Sequence, residues 1–501
     1  MGSLQAETPS ADDNRRTTFD QVIVDIKDYV FHYEIENPRA WLYARTTMLD
    51  ALGCAIESLH NSSECRSLLG PVVPGTTVPD GFRLPGTPYQ LDPVKGAFDL
   101  GSMIRYSDHN DALGGADASH PSDNLGAILA VSDWLCRSAA SGRLVHHGPP
   151  LTMHTVLTAM IKAYEIQGCF QIQNAFHPYG MDHTILVKLA STAVVSWLLG
   201  LSEEQTMAAI SHVFMDGCPL RVYRGAPNTI PRKGWAAGDA CTRAVQLALL
   251  TKRGQPGGHT VLTSPRWGFY TNLWHGNTFA LPKPYSTWVV ENIFFKCIPA
   301  EGHGISAIEA ALQQAARLRA RGLDPAGDIE SIDVRTQAAA VRIISKAGEL
   351  HNAADRDHCM QYMIAVSLLK GKIMEVADYS NESKWATSQD VAMLRAKIKI
   401  REEESFTRDY LDLSKKSAAS GITIVLKNGD VMDEVVVEYP IGHVENDNTL
   451  ATVKAKFRRN MGLRFEEQEV EGILAAAENE DMAVSKFVDL LVRKGERENK
   501  L

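Results

Sequence analysis

Apolar residues recur at helical spacing through the first three fifths of the chain. The clearest stripe covers residues 125–135, and similar stripes cover residues 22–33, 156–164 and 236–250. A stripe at positions i, i+3 and i+4 is typical of an amphipathic helix, and helices that are apolar on most faces lie inside a multi-layer bundle. The pattern therefore predicts a helical body over residues 19–291.

The longest apolar run covers residues 184–201 and could suggest a membrane span. It contains Lys188 and Ser191, and it is shorter than the roughly 20 apolar residues that a bilayer requires. We therefore expect a buried helix here and no membrane association.

The pattern changes in the second half of the chain. Residues 329–335 alternate between apolar and polar side chains as a strand does, and two further apolar runs flank Asn428-Gly429, a strong hairpin signal. Helical segments at residues 302–321 and 357–369 accompany these strands. The pattern predicts an α+β domain over residues 292–445.

The two chain ends differ from each other. Helical patterning returns over residues 446–501, and we expect these C-terminal helices to rejoin the helical body. Residues 1–18 are polar, lack the apolar core of a secretory signal and contain the acidic residues that transit peptides avoid. A disordered N-terminal segment is therefore expected, and the fold class is mainly α with an α+β domain.

The composition narrows the possible partners. A net charge of −9 and a pI near 6.0 argue against a nucleic-acid surface, which needs a basic face. They leave room for a small cationic pocket that binds an acidic metabolite. The eight cysteines include no C-x-x-C pair, which disfavours a zinc ribbon, an iron–sulfur cluster and a disulfide framework.

The cysteine usage favours reduced, mostly buried thiols in an intracellular protein. A cytoplasmic location is the simplest expectation, with a mitochondrial or peroxisomal one left open. The C-terminal Asn499-Lys500-Leu501 differs from the peroxisomal S-K-L signal at one position.

Residues 105–124 concentrate the polar groups that chemistry requires. The functional interpretation is that Asp108 and His120 belong to an acid–base set, because histidine exchanges protons near neutral pH and a carboxylate can orient it. The alternative is that Asp108 merely pairs with Arg105, and the pattern leaves this choice open. Asp123-Asn124 is expected to cap the next helix.

A metal site in the same segment would use Asp108, His109 and Asp111. Side chains at positions i, i+1 and i+3 do not converge easily on one ion, and no motif such as H-E-x-x-H accompanies them. We expect no metal.

Three further groups of polar residues can be interpreted as functional or as purely structural. His183, with His177, precedes an apolar helix whose N-terminus could bind a carboxylate, or it belongs to a polar cap. A basic loop could neutralise a polyanion, or it is solvated surface; it contains Arg221, Arg224, Asn228, Arg232 and Lys233. Lys296 and His303 lie where the body meets the α+β domain, in a pocket or in a linker.

Five segments carry a resemblance to a known family. They are residues 70–76 (GPVVPGT), 120–126 (HPSDNLG), 232–240 (RKGWAAGDA), 354–359 (ADRDHC) and 436–443 (VVEYPIGH). Together they resemble the 2-methylcitrate dehydratase family, the MmgE/PrpD group, which also includes cis-aconitate decarboxylases. The resemblance covers nearly the whole chain.

The resemblance implies a large helical body built from both chain ends, a smaller α+β lid, and a homodimer. It also implies a lyase that acts on a small tricarboxylate without a metal or other cofactor. The family's functional positions, in a pocket between body and lid, correspond here to Asp108, His120, His183, Lys233, Lys296 and His303.

A mechanism follows from the resemblance as a hypothesis. Removing a proton beside a carboxylate builds enolate-like charge, which Lys233, Lys296 and Arg105 would stabilise. His120 and His183 would transfer the two protons, with their order left open, and Asp108 would orient one imidazole. Arg105, Lys296, His303 and Asp111 are the expected polar substrate contacts.

Several positions depart from the family's pattern. Asp108-His109-Asn110-Asp111-Ala112-Leu113 stands where the family's dehydratases usually have Asp-Phe-Asn-Asp-Thr-Trp, and Ala118 stands where a second tryptophan is common. Gly302 replaces a phenylalanine, and 336–338 (TQA) replaces Thr-His-Glu. If Leu113 and Ala118 border the pocket, the site is wider and more apolar than usual.

These departures predict a dehydratase for citrates with a longer 2-alkyl chain, as in alkylcitrate or maleic-anhydride pathways of secondary metabolism. The alternatives are a housekeeping 2-methylcitrate dehydratase of propionate catabolism and a decarboxylase of the cis-aconitate type. A catalytically inactive paralogue that binds a tricarboxylate is the alternative outside enzymes.

Overall fold

The computed structural model describes residues 18–224 and 230–493. The expectations for residues 1–17, for Asn228 and for Asn499-Lys500-Leu501 lie outside the described residues. Within them the protein is mainly helical with small sheets, which confirms the predicted fold class.

The described residues up to position 291 form helices and one short hairpin. The helices are α1 (Gln21–His32), α2 (Pro38–Asn61), α3 (Ser63–Ser67), α4 (Pro93–Arg105), α5 (Leu125–Ala140), α6 (Met153–Gln173), α7 (Thr184–Leu198), α8 (Glu203–Met215), α9 (Arg232–Lys252), α10 (Phe269–Leu273) and α11 (Trp288–Glu291). The hairpin pairs β1 (Phe82–Arg83) with β2 (Gln90–Leu91).

The middle of the chain mixes helices and strands. Its elements are α12 (Ile305–Ala320), α13 (Pro325–Asp328), β3 (Ile329–Thr336), α14 (Ala338–Ile344), α15 (Ala353–Arg356), α16 (Met360–Lys370), α17 (Gln389–Lys397), β4 (Ile398–Glu402), α18 (Glu404–Leu411), β5 (Ser420–Leu426) and β6 (Val435–Val437). The sheet order is β4-β3-β5-β6, with β3 and β4 parallel and the other pairs antiparallel. The predicted hairpin is confirmed, because β5 and β6 pair antiparallel on either side of Asn428-Gly429, and Gly429 takes a positive φ of 91° in the turn.

Three helices complete the described chain: α19 (Thr449–Met461), α20 (Glu467–Ala477) and α21 (Val484–Leu490). Their apolar side chains, among them Phe457 and Phe487, belong to the same buried cluster as the helices of the first 291 residues. We call this cluster the first core. A second core contains the apolar face of the β3–β6 sheet with α12 and α16.

The chain passes from the first core to the second between Cys297 and Ile298. It returns between Val437 and Val453. Segments at these two passages approach one another, since Phe295 N donates to the carbonyl of Gly442 at 2.8 Å. Segments of both parts of the protein therefore meet at the junction of the two cores.

Helix α7 accounts for the longest apolar run, and nearly all its residues are buried. This confirms the buried helix, and none of the described helices is long and apolar enough to cross a membrane. The cysteines are all free, and six of the eight are buried.

The predicted cap at Asp123-Asn124 is wrong. Helix α5 has no side-chain cap, because both residues are buried and bind tertiary partners instead. Asn110 donates to Asp123 at 3.0 Å, while Ser191 donates to Asn124 at 2.7 Å.

Candidate active site

A cavity of about 490 Å³ opens at the junction of the two cores. It is lined by nine of the ten residues that the sequence analysis assigned to catalysis or to substrate contacts: Arg105, Asp108, Leu113, Ala118, His120, His183, Lys233, Lys296 and His303. Helices α4, α7 and α9 and the segments around them supply the part from the helical body. The remainder comes from the 294–303 segment and from the α+β part.

Asp108 is the centre of the charged wall. It follows α4 with a positive φ of 52°, a conformation that aspartate tolerates better than most residues. Lys296 Nζ lies 2.8 Å from its Oδ1 and Lys233 Nζ lies 3.0 Å from its Oδ2, and Arg105 also donates to it. Burial opposes ionisation, but the charges of Arg105, Lys233 and Lys296 hold the pKa of Asp108 well below its usual range.

Lys233 also donates to His358 Nε2 at 3.3 Å, and the other ring nitrogen of His358 binds Asp357. Asp108, Asp357 and His358 form one of the described groups whose atoms are close enough to hold a metal ion. The ammonium of Lys233 contacts both Asp108 and His358, so a lysine supplies the positive charge that a metal would supply there.

His120 is a neutral imidazole with a free lone pair. Its Nδ1 donates to the carbonyl of Asp111 at 2.6 Å, which leaves Nε2 as the acceptor, 3.7 Å from Asp108 Oδ1. Burial, together with the charges of Arg105 and Lys296, lowers the pKa of His120 well below its usual value. The group that orients the His120 ring is thus a backbone carbonyl, since Asp108 at 3.7 Å is too distant for a hydrogen bond to this ring.

His183 stands at the N-terminus of α7, as expected, with its ring centroid 6.2 Å from that of His120. Arg221 lies 3.5 Å from its Nδ1, and its Nε2 has no hydrogen-bond partner among the described residues. Burial is the main cause that lowers the pKa of His183 to about 3, so this ring is also neutral near pH 7.

His303 has the opposite protonation state. Its Nδ1 donates to Glu301 at 2.8 Å, and its Nε2 lies 3.0 Å from the hydroxyl of Tyr410. Burial disfavours the charged ring, but Glu301 and Tyr410 outweigh it and raise the pKa of His303 to about 10. The cavity therefore holds a neutral imidazole and an imidazolium at the same pH, the pairing that general acid–base chemistry needs.

Asp111 does not line the cavity. It lies behind the wall, where Ser122 and Tyr164 each donate to its carboxyl at 2.6 Å. Burial raises its pKa to about 6. The three residues considered for a metal point apart, since His109 binds Glu57 while Asp108 faces the cavity.

The basic loop divides into two groups. Arg221 and Arg224 line the cavity and approach Asp182, which Arg224 binds with one contact of 3.1 Å. Arg232 instead pairs with Asp239 at 3.0 Å, away from the cavity.

Sequence reasoning missed several residues of the wall: Arg342, Lys346, His358, Tyr410, Lys416 and His443. Of these, His358 and His443 were visible within the 354–359 and 436–443 segments, while Tyr410 and Lys416 gave no signal. With them the lining contains eight lysines and arginines against two carboxylates, Asp108 and Glu301. Such an excess of positive charge suits a small polyanion.

One side of the cavity is apolar or open. Leu113, Ala118 and Gly302 all border it. A Cβ atom built on Gly302 would find only Lys296 Cε, at 4.0 Å, so the space in front of Gly302 is free. All three positions thus border the cavity, as the expectation of a wider and more apolar site requires.

A mainly helical fold with a cation-rich acid–base cavity between two cores defines a class of enzymes that act on small polycarboxylates by proton transfer. The chain belongs to the MmgE/PrpD family. Residues 24–282 match its N-terminal domain and residues 298–481 match its C-terminal domain.

The relatives include dehydratases from fungi and bacteria. The chain is 57% identical to the alkylcitrate dehydratase phiI of a fungal species (Fungal sp.), over 95% of each chain. It is 53% identical to the 2-methylcitrate dehydratase-like protein oryR of Aspergillus oryzae, over 97% of this chain and 98% of that one. It is also 48% identical to the 2-methylcitrate dehydratase of Escherichia coli, over 96% and 99%.

Proposed function

We propose that this protein is a hydro-lyase that converts a 2-alkylcitrate into the 2-alkyl-cis-aconitate. The observation that carries the proposal is the cavity itself, which a neutral His120, a cationic His303 and the Asp108 cluster line together. Alkylcitrate and 2-methylcitrate dehydratases among the relatives support the same reaction class.

The first step is removal of a proton from the carbon that bears the alkyl chain. Nε2 of His120 is the base, because its lone pair is free and the Asp111 carbonyl fixes the ring. The electron pair left on carbon spreads into the adjacent carboxylate, where Lys296, Lys233 and Arg105 stabilise the added charge.

The second step expels the hydroxyl group of the neighbouring carbon. The carbon–oxygen bond breaks as the electron pair forms the double bond, and the oxygen leaves as water with a proton from the His303 imidazolium. Tyr410 lies 3.0 Å from His303 Nε2 and can pass that proton on. His183, neutral and close to His120, is then a substrate contact and not the acid.

The apolar side of the cavity supports a long alkyl chain. A hexyl group has five more methylenes than a methyl group, and burial of each is worth about 0.8 kcal/mol, or about 4 kcal/mol in total as an upper limit. Leu113, Ala118 and Gly302 leave room for such a chain where tryptophan or phenylalanine would fill it.

The test is steady-state dehydration of 2-methylcitrate and 2-hexylcitrate by purified protein, followed by the ultraviolet absorbance of the new double bond. We expect a higher kcat/KM for 2-hexylcitrate and loss of turnover in His120→Ala with its circular dichroism unchanged. A clear preference for 2-methylcitrate would contradict the long chain and favour the housekeeping enzyme. Binding without turnover would favour an inactive paralogue, and release of CO2 a decarboxylase.

We propose further that the enzyme is a metal-independent homodimer of a secondary-metabolite pathway. Elimination of water needs no redox cofactor, and the Lys233 ammonium supplies the charge beside Asp108 and His358. Full activity after dialysis against a chelator is expected. Light scattering is expected to give twice the mass of the 55.0 kDa chain.

A further inference from the structure

Lys416 is a lysine of the cavity wall that the proposed reaction does not use. It lies between α18 and β5, in the α+β part, and its ammonium lies 3.3 Å from the carbonyl of Gly114 and 5.1 Å from the Trp288 ring centroid. Both contacts belong to segments that pack on the first core. The side chain therefore crosses the junction between the two parts of the protein.

The charge of Lys416 has no carboxylate partner in the part of the chain that the structure describes. Lys233 and Lys296 both bind Asp108, whereas no carboxylate of the described residues lies within 4 Å of Lys416 Nζ. An ammonium that is largely removed from water without a counter-ion is costly. Burial accordingly lowers the pKa of Lys416 to about 7, and a bound anion would favour its charged form.

The backbone holds Lys416 in this place. Its φ is 44°, a left-handed conformation that is uncommon for a residue with a side chain, and such strain is frequent at ligand sites. The amide of Lys416 donates to the carbonyl of Asp412 at 2.7 Å, and Nε2 of His443 donates to the carbonyl of Lys416 at 3.0 Å. His443 thus positions the lysine from the 436–443 segment.

We propose that Lys416 binds one carboxylate of the tricarboxylate substrate, separately from the carboxylates held at the Asp108 cluster. At that cluster three cations, Arg105, Lys233 and Lys296, face one carboxylate, so two positive charges remain for a ligand with three negative ones. Lys416 supplies a further positive charge from the α+β part of the cavity wall. The inference rests on the proposed function, because it takes the substrate to be a tricarboxylate.

The test compares a tricarboxylate with two dicarboxylates, each of which lacks a different one of its three carboxylates. Citrate has three; citramalate lacks one terminal carboxylate, and 3-hydroxyglutarate lacks the central one. Their dissociation constants are measured by calorimetry at neutral pH for the wild type, Lys416→Met and Lys416→Arg. Each variant keeps a Cβ and therefore the same backbone strain at φ 44°. Lys415→Met is the matched control, since this neighbour lies on the surface and pairs with Asp409 at 2.9 Å.

We expect Lys416→Met to bind citrate about 10- to 100-fold more weakly, the range for a lost hydrogen bond to a charged group. Lys416→Met should bind one of the two dicarboxylates as tightly as the wild type does, because that ligand already lacks the carboxylate that Lys416 binds. Lys416→Arg should stay close to the wild type, and Lys415→Met should match it. With the alkylcitrate substrate, Lys416→Met should raise KM and leave kcat nearly unchanged. This is the result expected for a contact that is equally strong in the bound substrate and in the transition state.

Two results would overturn the inference. Wild-type affinity of Lys416→Met for all three ligands would show that the lysine binds no carboxylate. An equal loss for all three would show a general effect on the cavity instead of a contact with one group. Failure of the wild type itself to bind citrate would contradict the proposed function, so the two failures are distinguishable.

Discussion

Replacing Asp108 by Asn is expected to weaken the fold and to tighten the binding of tricarboxylates. Among the described residues, Asp108 is the only carboxylate that pairs with Arg105, Lys233 and Lys296, and asparagine tolerates the φ of 52° at this position. Three cations, two of them buried, then lie close together without their shared counter-ion. A bound tricarboxylate would replace the missing charge.

The magnitude follows from the burial of the cluster. Removing one partner of a buried ion pair costs about 3–5 kcal/mol. Unfolding entropy is about 2.1 cal/mol/K per residue, or about 1 kcal/mol/K for 501 residues, so Tm should fall by about 3–5 °C. Loss of a like charge about 5 Å from a ligand carboxylate is worth about 1–3 kcal/mol, which is about 5- to 150-fold in citrate affinity.

The assay is scanning calorimetry with and without citrate, together with titration calorimetry. Asp108 has a depressed pKa in the folded protein, so its contribution is present above the unfolded pKa and is lost as the pH falls through the lower folded value. The Tm difference between wild type and variant should therefore shrink in acid below about pH 4. Asp108→Asn/Lys296→Met should recover part of the lost stability. An unchanged Tm, or weaker citrate binding by Asp108→Asn, would refute the reasoning.

Three other predictions concern different parts of the structure. Lys456→Met leaves the buried Asp50 without its partner at 2.8 Å, so Tm should fall by about 3–5 °C in calorimetry, and Asp50→Asn in the same chain should restore part of it. Leu113→Trp fills the apolar side of the cavity and should lower kcat/KM tenfold or more for 2-hexylcitrate, with 2-methylcitrate as the comparison substrate. Nitrogen-15 NMR of the substrate-free protein should show His303 protonated until the pH rises through about 10 and His120 neutral at pH 6; a common titration near pH 6.5 would contradict the assigned acid and base.

The helices were predictable because their signal is local and repeated. An apolar stripe such as residues 125–135 constrains one face of a helix at every turn, and α5 covers it. The cap at Asp123-Asn124 failed for the opposite reason. Capping preference describes a helix end in water, whereas these two side chains are enclosed and hydrogen-bonded by α6, α7 and the 110 segment.

The candidate site was predictable only where its residues stand in recognisable segments. Lys416 contacts the carbonyl of Gly114 across 302 positions of sequence, and Tyr410 meets His303 across 107. Neither residue differs from an ordinary surface lysine or tyrosine until the chain folds. Asp111 shows the reverse case, since a carboxylate in the richest polar segment lies behind the wall with Ser122 and Tyr164.

The two sides of the cavity differ in how freely they can change. Asp108 is the shared counter-ion of Arg105, Lys233 and Lys296, so the loss of this one carboxylate leaves three cations without compensation. Leu113 and Ala118 contribute only shape and apolar surface, and a change of one methylene there costs about 0.8 kcal/mol in contact with a substrate chain. Substrate range in such a cavity is therefore altered most easily at the apolar side, while the charged side constrains the reaction to polycarboxylates.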